Sequence, residues 1–277
     1  MGAAASTPDT ALATAIQVGH LDLAREALKM GADINYCAKH SWPEFGFGFS
    51  RSCSTSSART WSEETPVLLI AAARADGDMC RTLLDAGCDP NATQIRKDGA
   101  QLCALLAAVN AGSEVCVKLL LERGADVQSV PLLAAACCSG RVDCLRMLLR
   151  AGALPDFAED GFMPLHYCCC RGQRPTIADQ AVAQSAAGQR RTVRGAWAEC
   201  ARVLIDLGAL TCQQINSCDQ SGLVMPALSY AAHFGDVEVV RVLLASGASK
   251  EVQGAQGLTA AQYARNSGHE ALAQELD

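Results

Sequence analysis

His166 and Cys170 stand four residues apart, a spacing that on a helix puts two metal ligands on one face. Cys168, Cys169 and Cys200 lie close by in the same reading, so the group could in chemical terms hold zinc or form a redox pair. The chain carries fifteen cysteines. Seven of them (Cys80, Cys116, Cys137, Cys144, Cys168, Cys169 and Cys200) occur where a helix wants a small apolar residue. Free cysteine packs as a small hydrophobe, and with no secretory signal the thiols are expected to be reduced. Structural packing is therefore the reading taken for the cysteines. Cys137 and Cys138 are neighbours that a helix points about 100° apart, so one is expected in the core and the other partly exposed.

Other catalytic signatures are missing from the sequence. No Cys/His nucleophile pattern, His-Glu-x-x-His, Gly-x-Ser-x-Gly or paired carboxylate motif is found. Gly46 and Gly48 do not make a phosphate loop, because no strand precedes them and no Lys-Ser/Thr follows. The expectation is a non-enzymatic chain that needs no cofactor and no metal. A net charge of −6 and a pI near 5.4 argue against nucleic acid as the partner. No run of 18 apolar residues offers a membrane-spanning helix, and a cytoplasmic location is expected. Residues 1–9 read as a flexible start. They also fit the Met-Gly-x-x-x-Ser/Thr acylation pattern on Gly2, with Ser6 in register, which a single acyl chain would turn into weak membrane association at most.

The elements that would position all of these residues are short helices with fixed punctuation. Gly112–Val127 shows the unit: an apolar face (Cys116, Val117, Leu120, Leu121), a charged turn, then Gly124-Ala125-Asp126. Gly31, Gly87, Gly152, Gly208 and Gly247 close comparable runs. A second glycine stands twelve residues before the closing one in Gly19/Gly31, Gly112/Gly124, Gly140/Gly152 and Gly235/Gly247. Between them fit a first helix, a two-residue turn and a second helix. In the first unit these read as Ala11–Val18 and Leu21–Met30, the latter with Leu23, Ala24, Ala27 and Leu28 on one face. Pro66 opens a helix over Val67–Arg74, followed by Met79–Ala86.

The recurring interval, with Asp160-Gly161-Phe162-Met163-Pro164-Leu165-His166 and the weaker Gly257–Ala264, resembles the ankyrin-repeat family. The resemblance covers about four-fifths of the chain. It implies an all-α solenoid of stacked helix–turn–helix units with β-hairpin tips: about six full repeats and a C-terminal capping repeat, in a single domain over 10–277. The seventh repeat ends on a helix that is polar at Glu270, Gln274, Glu275 and Asp277, as a terminal cap requires. Only 28 residues separate Gly124 from Gly152, so a clipped hairpin is expected there. The resemblance also gives His166 a hydrogen-bonding role between adjacent loops. The function it implies is that of a monomeric scaffold binding another protein through hairpin tips and first helices, at residues such as Asp33, Asn35, Asp89, Asn91 and Asp126. The three aspartates suit a plain turn equally well.

Two insertions interrupt the period. Residues 36–63 hold Tyr36, Trp42, Phe45, Phe47, Phe49 and Trp61, six of the thirteen aromatics. They either cap the apolar end of the first repeat or project as a contact finger, and both readings stay open. Residues 173–196 hold Arg174, Arg190, Arg191 and Arg194 against a single acid, Asp179. That is either a solvated basic loop or a contact for an acidic or phosphorylated partner.

Overall fold

The computed structural model describes residues 7–39, 64–95, 101–128, 131–156, 162–170, 195–208, 215–216, 225–254 and 256–277. The chain divides into two compact units, Met1–Leu132 and Leu133–Asp277.

In the N-terminal unit, α1 (Pro8–Val18) and α2 (Leu21–Lys29) form the first helix pair. A hairpin of β1 (Cys37–Lys39) and β2 (Glu64–Pro66) leads to α3 (Val67–Ala73) and α4 (Gly77–Asp85). A second hairpin, β3 (Thr93–Ile95) with β4 (Gln101–Cys103), leads to α5 (Ala104–Ala111) and α6 (Glu114–Glu122). First helices pack on first helices (α1 on α3, α3 on α5) and second on second (α2 on α4, α4 on α6). The sequence of α3, Val-Leu-Leu-Ile-Ala-Ala-Ala, explains why: Val67 to Ala72 are all buried, and the alanines keep the helix thin enough for neighbours on both sides. Caps fix where helices start. Asp76 Oδ1 accepts from the Met79 amide at 3.0 Å, and Ser113 Oγ accepts from the Cys116 amide at 3.4 Å.

In the C-terminal unit the helices are α7 (Leu132–Ser139, beginning one residue earlier), α8 (Val142–Arg150), α9 (Pro164–Cys169), α10 (Ala196–Gly208), α11 (Ala227–Phe234), α12 (Val237–Ala245), α13 (Ala260–Asn266) and α14 (Glu270–Leu276). Helix α9 packs on α10 and α11, α11 on α13, and α10 on α8 and α12. The pairing of α9 with α10 confirms that residues 173–196 interrupt one repeat. Between Gln128 and α7 no strand occurs among the described residues, consistent with the short 28-residue step. In α14, Glu270, Gln274, Glu275 and Asp277 are exposed while Leu272, Ala273 and Leu276 are buried, as a terminal cap requires.

Two details depart from the sequence reading. Leu23 was expected on the buried face of α2 and is 54% exposed. It lines, with Val18 and Met30, a groove of about 420 Å³ between α1 and α2, because the first repeat turns this side away from the second. The other is Ala75, which occupies the place of Gly19, Gly112, Gly140 and Gly235. The chain needs the same left-handed turn there, and Ala75 adopts it at φ 59°, the one non-glycine residue with positive φ among those described. A side chain in that conformation costs about 1 kcal/mol. Ala75→Gly is therefore expected to raise stability by up to about 1 kcal/mol, read as a higher urea midpoint with an unchanged m-value. A lower midpoint would show that the Ala75 methyl makes contacts worth more than the strain.

Candidate protein-binding surface

The two hairpins of the N-terminal unit lie side by side, β2 against β3. Their registers pair Ala38 with Thr65 and Gln94 with Leu102. Gln94 and Thr65 are buried, and Ile95 on the same strand as Gln94 is 63% exposed. Period-two alternation thus turns Thr93 and Ile95 outward and Gln94 inward.

Each tip preceding a hairpin is built by its own aspartate. Asp33 Oδ1 accepts from the Asn35 amide at 3.0 Å, Asp89 Oδ1 from the Asn91 amide at 2.9 Å, and Asp126 Oδ1 from the Gln128 amide at 2.8 Å. These are Asx turns, the local bond that makes aspartate a turn residue. The asparagines then tie one tip to the next. Asn35 Oδ1 accepts from the Asp89 amide at 3.3 Å, and Asn91 Oδ1 accepts from the Asp126 amide at 2.7 Å while its Nδ2 donates to the Gly124 carbonyl at 3.2 Å. Asp9 Oδ1 starts the series by accepting from the Asp33 amide at 2.7 Å. All five tip residues named from the sequence are brought into one row, exposed at the surface yet hydrogen-bonded within the fold.

The same device recurs in the C-terminal unit, where Asn216 Oδ1 accepts from the Ser249 amide at 2.7 Å and Nδ2 donates to the Gly247 carbonyl at 3.3 Å. Sequence reading missed Asn216 and Asp9. The asparagines of the first tips stand four residues after their glycine, whereas Asn216 stands eight after Gly208, so the motif gives no signal there. Asn91→Ala removes an acceptor and a donor from two backbone groups at once. It is expected to cost about 1–2 kcal/mol, measured by urea unfolding, with Asn91→Asp recovering the acceptor half of the loss. Equal losses for both variants would show that the amide ties contribute nothing.

Tyr36 is half-buried at the start of the first insertion. Trp42, Phe45, Phe47, Phe49 and Trp61 lie outside the described residues, as do Arg174, Arg190, Arg191, Arg194 and Gly2.

The His166 group behaves as packing. His166 is the third residue of α9, and its Nδ1 accepts from the Met163 amide at 3.0 Å, closing the helix start onto itself. Its ring sits edge-on to Tyr230 at 5.8 Å and to Phe162 at 6.2 Å between centroids. Burial pushes its pKa down to about 4, opposed by the Met163 and Met225 backbone. Cys170 is fully buried and its thiol is pushed up, first by burial. Cys80, Cys116, Cys137, Cys144, Cys168, Cys169 and Cys200 are all buried, and Cys138 is half-buried beside the buried Cys137. Among the described residues no three His, Cys, Asp or Glu side chains converge in a way that could hold a metal ion. No helix among them is long and apolar enough to cross a membrane.

Comparison with known proteins agrees with this architecture. The family model described as ankyrin repeats (3 copies) matches residues 68–158 and 105–179, and the single ankyrin-repeat model matches 225–254. Over 100 residues, 34% of this chain, the sequence is 35% identical to the E3 ubiquitin-protein ligase KEG of Arabidopsis thaliana, of which it spans only 6%. The human ASB11 ankyrin repeat domain is similar in fold, with a TM-score of 0.63 at 20% identity over 96% of this chain and 97% of that one. The ankyrin repeat domain of Bcl-3, an IkappaB-family protein, has a TM-score of 0.62 at 19% identity over 97% and 100%. With the glycine interval, the helix pairs and the tied tips on the same footing, the chain belongs to the ankyrin-repeat family.

Proposed function

We propose that the chain is a non-enzymatic scaffold that binds another protein along its hairpin tips and first helices, acting as a monomer in the cytoplasm. The observation that carries this reading is the tied row of tips. Hydrogen bonds from Asn35 and Asn91 hold consecutive tips in fixed register, so outward residues such as Ile95 are presented without an ordering cost on binding. In this reading Asp33, Asn35, Asp89, Asn91 and Asp126 shape the surface, and their exposed edges add polar contacts. Tyr36, Trp42, Phe45, Phe47, Phe49 and Trp61 supply aromatic anchors, the residue types on which interface energy concentrates. Arg174, Arg190, Arg191 and Arg194 take an acidic or phosphorylated stretch of the partner.

Affinity capture with the intact chain, Ile95→Asp and a variant lacking residues 41–59 tests this, with an unrelated repeat scaffold as control. Partners lost from Ile95→Asp alone put recognition on the tips. Partners lost only from the deletion put it on the aromatic insertion. No protein enriched over the control would end the scaffold reading.

The Met1-Gly2 start with Ser6 supports a second reading, a regulatory adaptor with an acyl chain on Gly2. Intact mass of the protein from a eukaryotic host decides it, and an unmodified Gly2 would remove the anchor.

A further inference from the structure

Cys80 and Cys116 come from consecutive repeats, and both are fully buried. What brings them together is the packing of α4 on α6. Gly77 opens α4 with no side chain, and a Cβ there would lie 2.7 Å from Val115 Cγ1. The first turn of α6 therefore sits directly against α4. Cys80, one turn on from Gly77, meets Cys116, the residue after Val115, and the two thiols share a hydrogen bond. Cys116 is also the third residue of α6, where Ser113 caps the helix and the N-terminal end of the helix dipole favours negative charge. Val115 beside it is 55% exposed, so the pair lies one residue beneath the surface.

We propose that Cys116 and Cys80 form a peroxide-sensitive dithiol, with Cys116 the reacting thiol, Cys80 its resolving partner and a hydroperoxide the substrate. The Cys116 thiolate attacks the outer oxygen of the hydroperoxide and breaks the O–O bond. An alcohol leaves (water, for hydrogen peroxide) and Cys116 becomes a sulfenic acid. The Cys80 sulfur then attacks the sulfenic sulfur, the S–O bond breaks, and water leaves with the Cys80 proton. Two thiols lose two electrons to give one disulfide, and the hydroperoxide gains them.

The electrostatics run the same way as the geometry. Hydrogen bonding from Cys80, with a further bond from Ser113, holds the Cys116 thiol below the usual thiol range against the opposing effect of burial. Cys80 is pushed well above that range by the same bond and by burial, which keeps it protonated until the sulfenic acid forms. Cys168 touches Cys137 and Cys200 in a comparable chain, yet burial pushes all three thiols up. Those three serve as internal comparators, because contact between thiols without a capped helix start leaves a cysteine inert.

The test is oxidation of the full chain by hydrogen peroxide under native conditions, followed by non-reducing digestion and mass spectrometry. The expected product has lost two hydrogens and carries one peptide pair joined through Cys80 and Cys116, formed about tenfold faster than any link among Cys137, Cys168 and Cys200. Cys80→Ser should stop at a Cys116 sulfenate that dimedone traps, and Cys116→Ser should leave Cys80 unlabelled. If either variant is unfolded by circular dichroism, the wild-type link map decides alone. A map in which Cys80 and Cys116 stay reduced while peroxide is consumed elsewhere overturns the proposal. So does a Cys116→Ser chain that oxidises at Cys80 as fast as the wild type.

Discussion

Lowering the pH from about 6.5 to about 4 is expected to remove about 3 kcal/mol from the stability of the C-terminal unit through His166 alone. The folded imidazole is held neutral to about 4 by burial between Phe162 and Tyr230, whereas in the unfolded chain it takes up its proton near 6.5. Between those values the unfolded state binds more protons than the folded state, so stability rises with pH. The contribution is complete above 6.5 and is lost as pH falls through 4. His233, half-buried beside Ser267 and depressed first by burial and then by His269, adds in the same direction. The measurement is urea unfolding at pH 7 and pH 4.5, followed through Trp197 in a chain whose Trp42 and Trp61 are phenylalanine. His166→Gln should flatten most of the pH dependence. If its slope matches the wild type, the imidazole is not the titrating group.

The second large effect separates two glycines with the same backbone. Gly235 ends α11 at φ 67°, and Gly268 stands after α13 at φ 81°. Alanine costs about 1 kcal/mol at either position from conformation alone. Around Gly268 nothing lies within 4 Å of an added Cβ, whereas at Gly235 that atom would fall 2.4 Å from His269 Cε1 and 2.6 Å from both ring nitrogens. His269 is the residue that begins α14, so relieving the clash means moving the start of the capping helix. Gly235→Ala is expected to cost about 3 kcal/mol and Gly268→Ala about 1 kcal/mol. Removing the ring should separate the two causes, since Gly235→Ala combined with His269→Ala is expected to fall back toward the Gly268→Ala value. A double variant no better than Gly235→Ala would assign the whole loss to backbone strain.

How much of this the sequence disclosed depends on how far apart the interacting groups stand. The interval between Gly112 and Gly124 is a local rule about where helices must stop, and it located the helix pairs to within a few residues. Ala75 escaped because the interval was sought in glycine, while the backbone needs only the conformation. Asp33, Asp89 and Asp126 act two residues away, so their turn role was legible. Asn35 and Asn91 act across 54 and 35 residues, on partners chosen by the stacking of repeats, and were taken for contacts offered outward. His166 lies between these cases: the family motif places it between loops, but its nearest bond closes its own helix start, and the aromatic rings that hold it neutral come partly from the next repeat.

The bond between Asn35 and Asp89 spans residues 36–63 without touching them, and the pairing of Lys39 with Glu64 closes that stretch at its base. The repeat stack is thus indifferent to what is threaded through this opening. Doubling the length of a flexible loop between those strands costs only about 0.6 kcal/mol in closure entropy. Lineages could therefore exchange the segment, and engineers could graft a foreign peptide between Lys39 and Glu64, while Asn35 and Asp89 keep the neighbouring tips in register. Recognition could then diversify at that port far faster than the framework that carries it.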